Sequence, residues 1–184
     1  MLTGIYGLNA FAIYGLILWM PQIIKSFGGL TNTQVGLIAA IPFACAAIGM
    51  MAISTNSDRT CERKFHLAFC GFVGGLFLAA SALASSSTVA FVLLCISAST
   101  LWGTNAVFWT VPTLFLRSSA AAGGIALINS IAQIGGFAAP FLVGWLHGVT
   151  SNFSTSLLVL AAAPVIGSFL SASLRLDRPK RPAL

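Results

Sequence analysis

Charge is what this sequence has least of. Only 7% of its 184 residues are Asp, Glu, Lys or Arg, while 58% are hydrophobic; an ordinary soluble domain has about 25% charged and 45–50% apolar residues. Nine basic and three acidic groups are too few to solvate a globule of this length, and they are bunched in a few places. A water-exposed fold is thereby excluded. Acids are scarcer still: Asp58, Glu62 and Asp177 are the whole set, and none falls in an apolar stretch. A nucleophile with its base, or a set of metal ligands, is therefore missing at membrane depth, and no enzyme is expected. Cys45, Cys70 and Cys95 fall inside apolar segments and Cys61 in a charged one, without metal-like spacing. No disulfide framework, metal site or other cofactor is expected from them. A basic leader region is lacking too, so the first apolar segment reads as a mature helix rather than a signal peptide.

What is present is apolar length. A spanning helix needs about 20 apolar residues. No charged residue occurs from Leu67 to Leu116 or from Ser118 to Leu174, and each run accommodates two spans and a turn. Ser85-Ser86-Ser87 marks one turn and the polar stretch from His147 to Ser154 the other. Two further spans precede them. The expectation is an all-α membrane protein: a six-helix transmembrane bundle over 1–174, with helices at about 2–21, 35–54, 67–84, 89–112, 120–146 and 156–174, and a basic tail at 175–184.

Loop charges orient the bundle. Lys25 stands alone on one side, whereas Arg59, Arg63, Lys64, Arg117, Arg175, Arg178, Lys180 and Arg181 all fall on the other. Basic residues stay cytoplasmic during insertion, so both termini are expected in the cytoplasm of a multi-pass cell-membrane protein. The net charge of +6 is then an orientation signal, and nucleic acid is not called for as a partner.

Large polar side chains are costly in hydrocarbon unless they face another helix or a wet cavity. The third and sixth spans carry no Asn, Gln, Tyr, Trp or charge, which makes them peripheral. The first carries Tyr6, Asn9 and Tyr14, the fourth Asn105 and Trp109, and the fifth Asn129 and Gln133. Spacings of three and four residues pair Tyr6 with Asn9, Asn105 with Trp109, and Asn129 with Gln133 on shared helical faces. Such groups serve either as interhelical hydrogen bonds or as the lining of a cavity for a small hydrogen-bonding solute. Three stripes on separate helices favour the cavity. Gly123, Gly124, Gly135, Gly136 and Pro140 give the fifth span a small-residue face and an expected kink.

The one dense charge cluster, Ser57-Asp58-Arg59-Thr60-Cys61-Glu62-Arg63-Lys64, joins the second and third spans. An acid followed at once by Arg at a helix end either latches a neighbouring helix end or is a plain positive-inside loop. With Asp58, Arg59, Arg63 and Lys64, this cluster resembles the cytoplasmic loop motif of the major facilitator superfamily, in the copy between that family's eighth and ninth helices. Ser54 stands where the motif's first Gly would be, and Cys61 replaces the second. Gln34-Val35-Gly36-Leu37, Ala40-Ile41-Pro42, Phe108-Trp109 with Pro112, and Ile125-Ala126-Leu127-Ile128-Asn129-Ser130 with Gly135-Gly136-Phe137 and Pro140 resemble one branch, the anion:cation symporters.

That resemblance implies the C-terminal six-helix half of a twelve-helix carrier for small organic anions (sugar acids, hydroxy-acids or aromatic carboxylates) driven by a coupling cation, the proton, in a bacterial inner membrane. It implies that the first and fourth helices of the half line the substrate cavity. It makes Tyr6, Trp109 and Asn129 similar to substrate-contacting residues; Asn9, Tyr14, Asn105 and Gln133 join them by helical geometry. The other half would supply one cavity wall, a cation for the anion and an acid for coupling, so the chain by itself is not expected to transport, and Met1 is expected to be an internal start, a truncation or the edge of a gene fragment. The alternatives are a six-helix homodimeric transporter and a non-transporting membrane fragment.

Overall fold

The computed structural model describes residues 1–115 and 119–174, the side chains of 119 and 120 excepted. Arg117 and the tail with Arg175, Asp177, Arg178, Lys180 and Arg181 lie outside the described residues. The elements are α1 (Leu2–Lys25), α2 (Asn32–Thr60), α3 (Lys64–Leu83), α4 (Ser87–Phe108), α5 (Pro112–Phe115), α6 (Ser119–Thr150) and α7 (Ser154–Ala172). Six of these segments among the described residues are long and apolar enough to cross a membrane, with α4 and α5 forming one. The chain is a multi-pass membrane protein, and among the described residues every regular element is a helix.

Local chemistry sets the helix ends. Gly28 and Gly29 turn the chain after α1 with φ of 87° and 71°, a region that costs glycine little. Thr31 then opens α2 with a capping box: its hydroxyl accepts from the Gln34 N–H at 3.3 Å, and its own N–H donates to Gln34 Oε1 at 2.9 Å. The break after α4 has a single cause. Pro112 has no N–H to give the Phe108 carbonyl, which accepts from Val111 N at 2.9 Å instead. The helix tightens and stops, and Trp109 sits on the corner.

The helices pair through small residues, because in lipid close backbone packing replaces the hydrophobic drive. Helix α2 lies along α4 in parallel: the Ser99 hydroxyl donates to the Cys45 carbonyl at 2.9 Å, Gly49 backs onto the Ser99 backbone, and Gly103 makes room for Ile53. Antiparallel α3 and α7 meet at Gly71 against Pro164 and Gly75 against Ala161. Buried serines tie α3 to α4, with Ser97 donating to Gly74 O at 2.8 Å and Ser81 to Ala90 O at 2.7 Å. The core is two apolar clusters, one around Leu16, Met20, Leu78, Leu94 and Leu160, the other around Tyr6, Leu67, Val107, Phe108 and Ala132.

The least covered elements are α2 and α6. Each packs chiefly on one partner, α2 on α4 and α6 on α1, and each leaves large apolar side chains open, among them Leu37, Ile48 and Met51 on α2 and Phe137, Phe141 and Trp145 on α6. The polar-poor α3 and α7 present an outer apolar face as well, with Phe65, Phe69 and Phe169 exposed.

Candidate functional site

The polar stripes converge along α1 and α6. These helices run in parallel, and their approach depends on missing side chains. A Cβ on Gly135 would lie 2.6 Å from the Gly7 carbonyl oxygen, and one on Gly136 would lie 2.8 Å from the Tyr14 ring. The backbones therefore touch, and the Tyr14 ring packs against Gly136 of α6. Farther along, Trp19 donates from Nε1 to the Pro140 carbonyl at 3.0 Å. Pro140 lies inside α6, which runs as one helix from Ser119 to Thr150, and the indole bond to its carbonyl fixes this stretch against α1.

This seam places Gln133 beside Tyr14. The Gln133 Nε2 donates to the Tyr14 phenol oxygen at 3.3 Å and to Asn129 Oδ1 at 3.5 Å. Two hydrogens of one amide thus join residues from α1 and α6 into a row. The Tyr14 O–H proton and the Asn129 amide hydrogens find no protein acceptor among the described residues, so the row has donors left over. Tyr14 is 36% exposed and Asn129 and Gln133 are half-buried, so the donors can be reached from outside the bundle.

An aromatic cluster ties α1 to α4. Tyr6 is buried, stacked on Phe108 with ring centres 5.0 Å apart and met edge-on by Trp109 at 4.6 Å. Trp109 in turn packs edge-on to Phe108 at 5.3 Å. Such contacts orient rings beyond what area burial alone does. The helix break at Pro112 holds Trp109 at the end of α4 and so against Tyr6.

The remaining two sequence candidates stand elsewhere. Asn105 is half-buried, with its Oδ1 shielded and without a protein donor. Asn9 is buried at 4% exposure and borders a small space shared with α3, α4 and α7. The structure does not bring it to Tyr14 and Gln133. The reason is rotational: Asn9 and Tyr14 are five residues apart, which at 100° per residue leaves them about 140° apart around α1. Gly7 and Trp19, which build the seam, were missed by a search for polar residues. The seven-residue interval from Gly7 to Tyr14, nearly two full turns, was the available signal.

The α2–α3 loop is tightly folded. Asp58 pairs with Arg63 at 2.5 Å, Arg63 also donates to Ser57 Oγ at 2.9 Å, and the fully buried Ser57 hydroxyl donates to the Glu62 carbonyl at 2.7 Å. The Glu62 carboxylate accepts from Phe65 N at 2.8 Å at the start of α3. Asp58, at the unfavourable negative end of α2, is thereby compensated by Arg63. Cys61 caps α2 in the left-handed region, φ 52° and ψ 29°, a position that glycine normally takes. Arg59 is exposed, and Lys64 begins α3 half-buried.

Comparisons with known proteins give this geometry its setting. No family model matches the chain. Over 160 residues, 87% of the chain, it is 38% identical to a quinolone resistance transporter of Acinetobacter baumannii, covering 37% of that protein. It is 37% identical over 180 residues to a putative tartrate transporter of Agrobacterium vitis (95% of the chain, 38% of the relative). It is also 35% identical over 168 residues to the inner membrane transport protein RhmT of Escherichia coli (91% and 39%). The chain thus spans about two-fifths of the length of these relatives.

Proposed function

Since the chain belongs to the major facilitator superfamily, as half of that twelve-helix fold, we propose that it is the C-terminal half of a secondary transporter of small organic anions, working by proton symport. The observation that carries this reading is the Tyr14–Gln133–Asn129 row, with spare O–H and N–H donors on an accessible face between α1 and α6. Carboxylates accept such donors strongly. Relatives named for tartrate and for metabolite transport support the substrate class.

In this reading Tyr14, Gln133 and Asn129 hold carboxylate and hydroxyl oxygens, and Tyr6 and Trp109 form the aromatic floor beside them. Lys25, Asp58, Arg59 and Lys64 stand at helix ends, and among the described residues no Lys, Arg, Asp or Glu lies deeper in the spans, so the cation that meets the anion and the acid that carries the proton come from the other half. The uncovered faces of α2 and α6 are where that half packs, and the Asp58–Arg63 loop lies on the cytoplasmic side with both termini.

The test is uptake of labelled hydroxy-acids and sugar acids into proteoliposomes containing the chain joined to an N-terminal six-helix half. Replacing Gln133→Leu or Tyr14→Phe removes a hydrogen bond to a charged ligand, worth about 1.5–3 kcal/mol, and raises KM roughly ten- to a hundredfold. Uptake that is indifferent to both substitutions rules out this site. An upstream sequence with no membrane helices rules out the half-carrier.

A further inference from the structure

Asn9 sits on α1 with 4% exposure, and neither atom of its amide has a protein hydrogen-bond partner. It borders a cavity of about 10 Å³ where α1, α3, α4 and α7 meet, at the level of Leu67 and Gly71. Three hydroxyls share that cavity: Thr104 of α4 and Ser168 and Ser171 of α7. All three protons are already committed to their own helices. Thr104 donates to the Thr100 carbonyl at 3.0 Å, Ser168 to Val165 at 2.6 Å and Ser171 to Gly167 at 2.8 Å. Toward the cavity these hydroxyls offer lone pairs only, while the Asn9 amide offers N–H hydrogens.

The occupant must therefore donate on one side and accept on the other, and be no larger than one water-sized sphere. A cation meets oxygens but no carboxylate, because no acid lines this cavity, and an unpaired charge at this depth is strongly disfavoured. An anion finds a single amide as its only donor. We propose that this junction is a built binding site for one structural water, which accepts from Asn9 Nδ2 and donates to the hydroxyl oxygens of α4 and α7. The water satisfies the Asn9 Nδ2 donor, which has no bulk solvent to turn to. It makes Asn9 a pin between the site-bearing α1 and the scaffold helices, in place of the substrate-contacting role that the sequence suggested.

The direct test is a structure of the native protein in lipid at a resolution that shows ordered water. Density is expected 2.7–3.2 Å from Asn9 Nδ2 and from at least one of the three hydroxyls. An Asn9 amide bonded directly to a hydroxyl, with no density between, overturns the proposal. Thermal unfolding gives a second test with Asn9→Leu, Ser171→Ala and the double variant. Either change alone weakens one shared water, so the fall in Tm of the double variant should be clearly less than the sum of the single falls; strictly additive falls overturn it. Exchange of sodium for choline should leave Tm unchanged. A sodium-dependent rise that Asn9→Leu abolishes would mean that an ion occupies the site.

Discussion

Substituting Gly135→Ala tests whether the α1–α6 seam is what sets the site. A Cβ built at Gly135 lies 2.6 Å from the Gly7 carbonyl oxygen and 3.3 Å from its carbonyl carbon. Ordinary contact begins at 3.4 Å, so the two backbones must part by about 0.8 Å, since atoms inside that distance repel steeply. Nothing flexible is available to give way, because the obstructing atoms are backbone. Helix α6 therefore moves, and the Gln133–Tyr14 bond, 3.3 Å long beforehand, is drawn past the 3.5 Å at which it counts as a hydrogen bond. Overpacking of this kind costs about 1–3 kcal/mol, or roughly 2–12 °C in Tm for a chain of this size. Differential scanning fluorimetry in nanodiscs reads the stability, and uptake by the whole carrier reads the site. The expected result is a lowered Tm together with a raised KM. The Gly136→Ala change offers a comparison, because its obstruction is the Tyr14 ring and the Gln133 amide, which rotate. A Gly135→Ala protein with unchanged Tm and unchanged KM would refute the seam argument.

Two further predictions concern the α2–α3 loop. Cys61→Gly relieves a left-handed residue with φ 52°, and after the extra chain entropy of glycine is counted it should raise stability by about 0.5–1 kcal/mol; a lower Tm than that of the native chain in thermal unfolding would contradict it. Arg63→Gln removes the pair with Asp58, whose side chain is 62% exposed, and the bond to Ser57. A loss of about 1 kcal/mol is expected by denaturant titration at low salt, with a smaller loss near 1 M salt; a salt-independent loss would show that packing rather than charge is at work.

Hydropathy alone made the six spans legible, because a bilayer leaves a chain few choices. Apolar runs of this length must be helices, since only helices satisfy their backbones within one segment. The pairing of Asn129 with Gln133 was legible for a similar reason, as i and i+4 on one helix lie one above the other. Tyr6 with Asn9 looked equally sound by spacing, yet the structure turns Tyr6 onto Phe108 and Trp109 and Asn9 toward Thr104 and Ser171. A three-residue step still separates two side chains by about 60°, and at a junction of several helices that angle chooses between neighbours.

The sequence by itself determined the membrane, the helix count and the loop that carries the Asp58–Arg63 pair, because these depend on composition and on local spacing. Only the tertiary structure decided which polar side chains share a site. Tyr14 and Gln133 are 119 residues apart in the chain, and they meet because Gly7, Gly135 and Gly136 let two parallel helices touch. Helix periodicity says which residues share a face of one helix; it carries no information about which other helix that face will meet, or how closely.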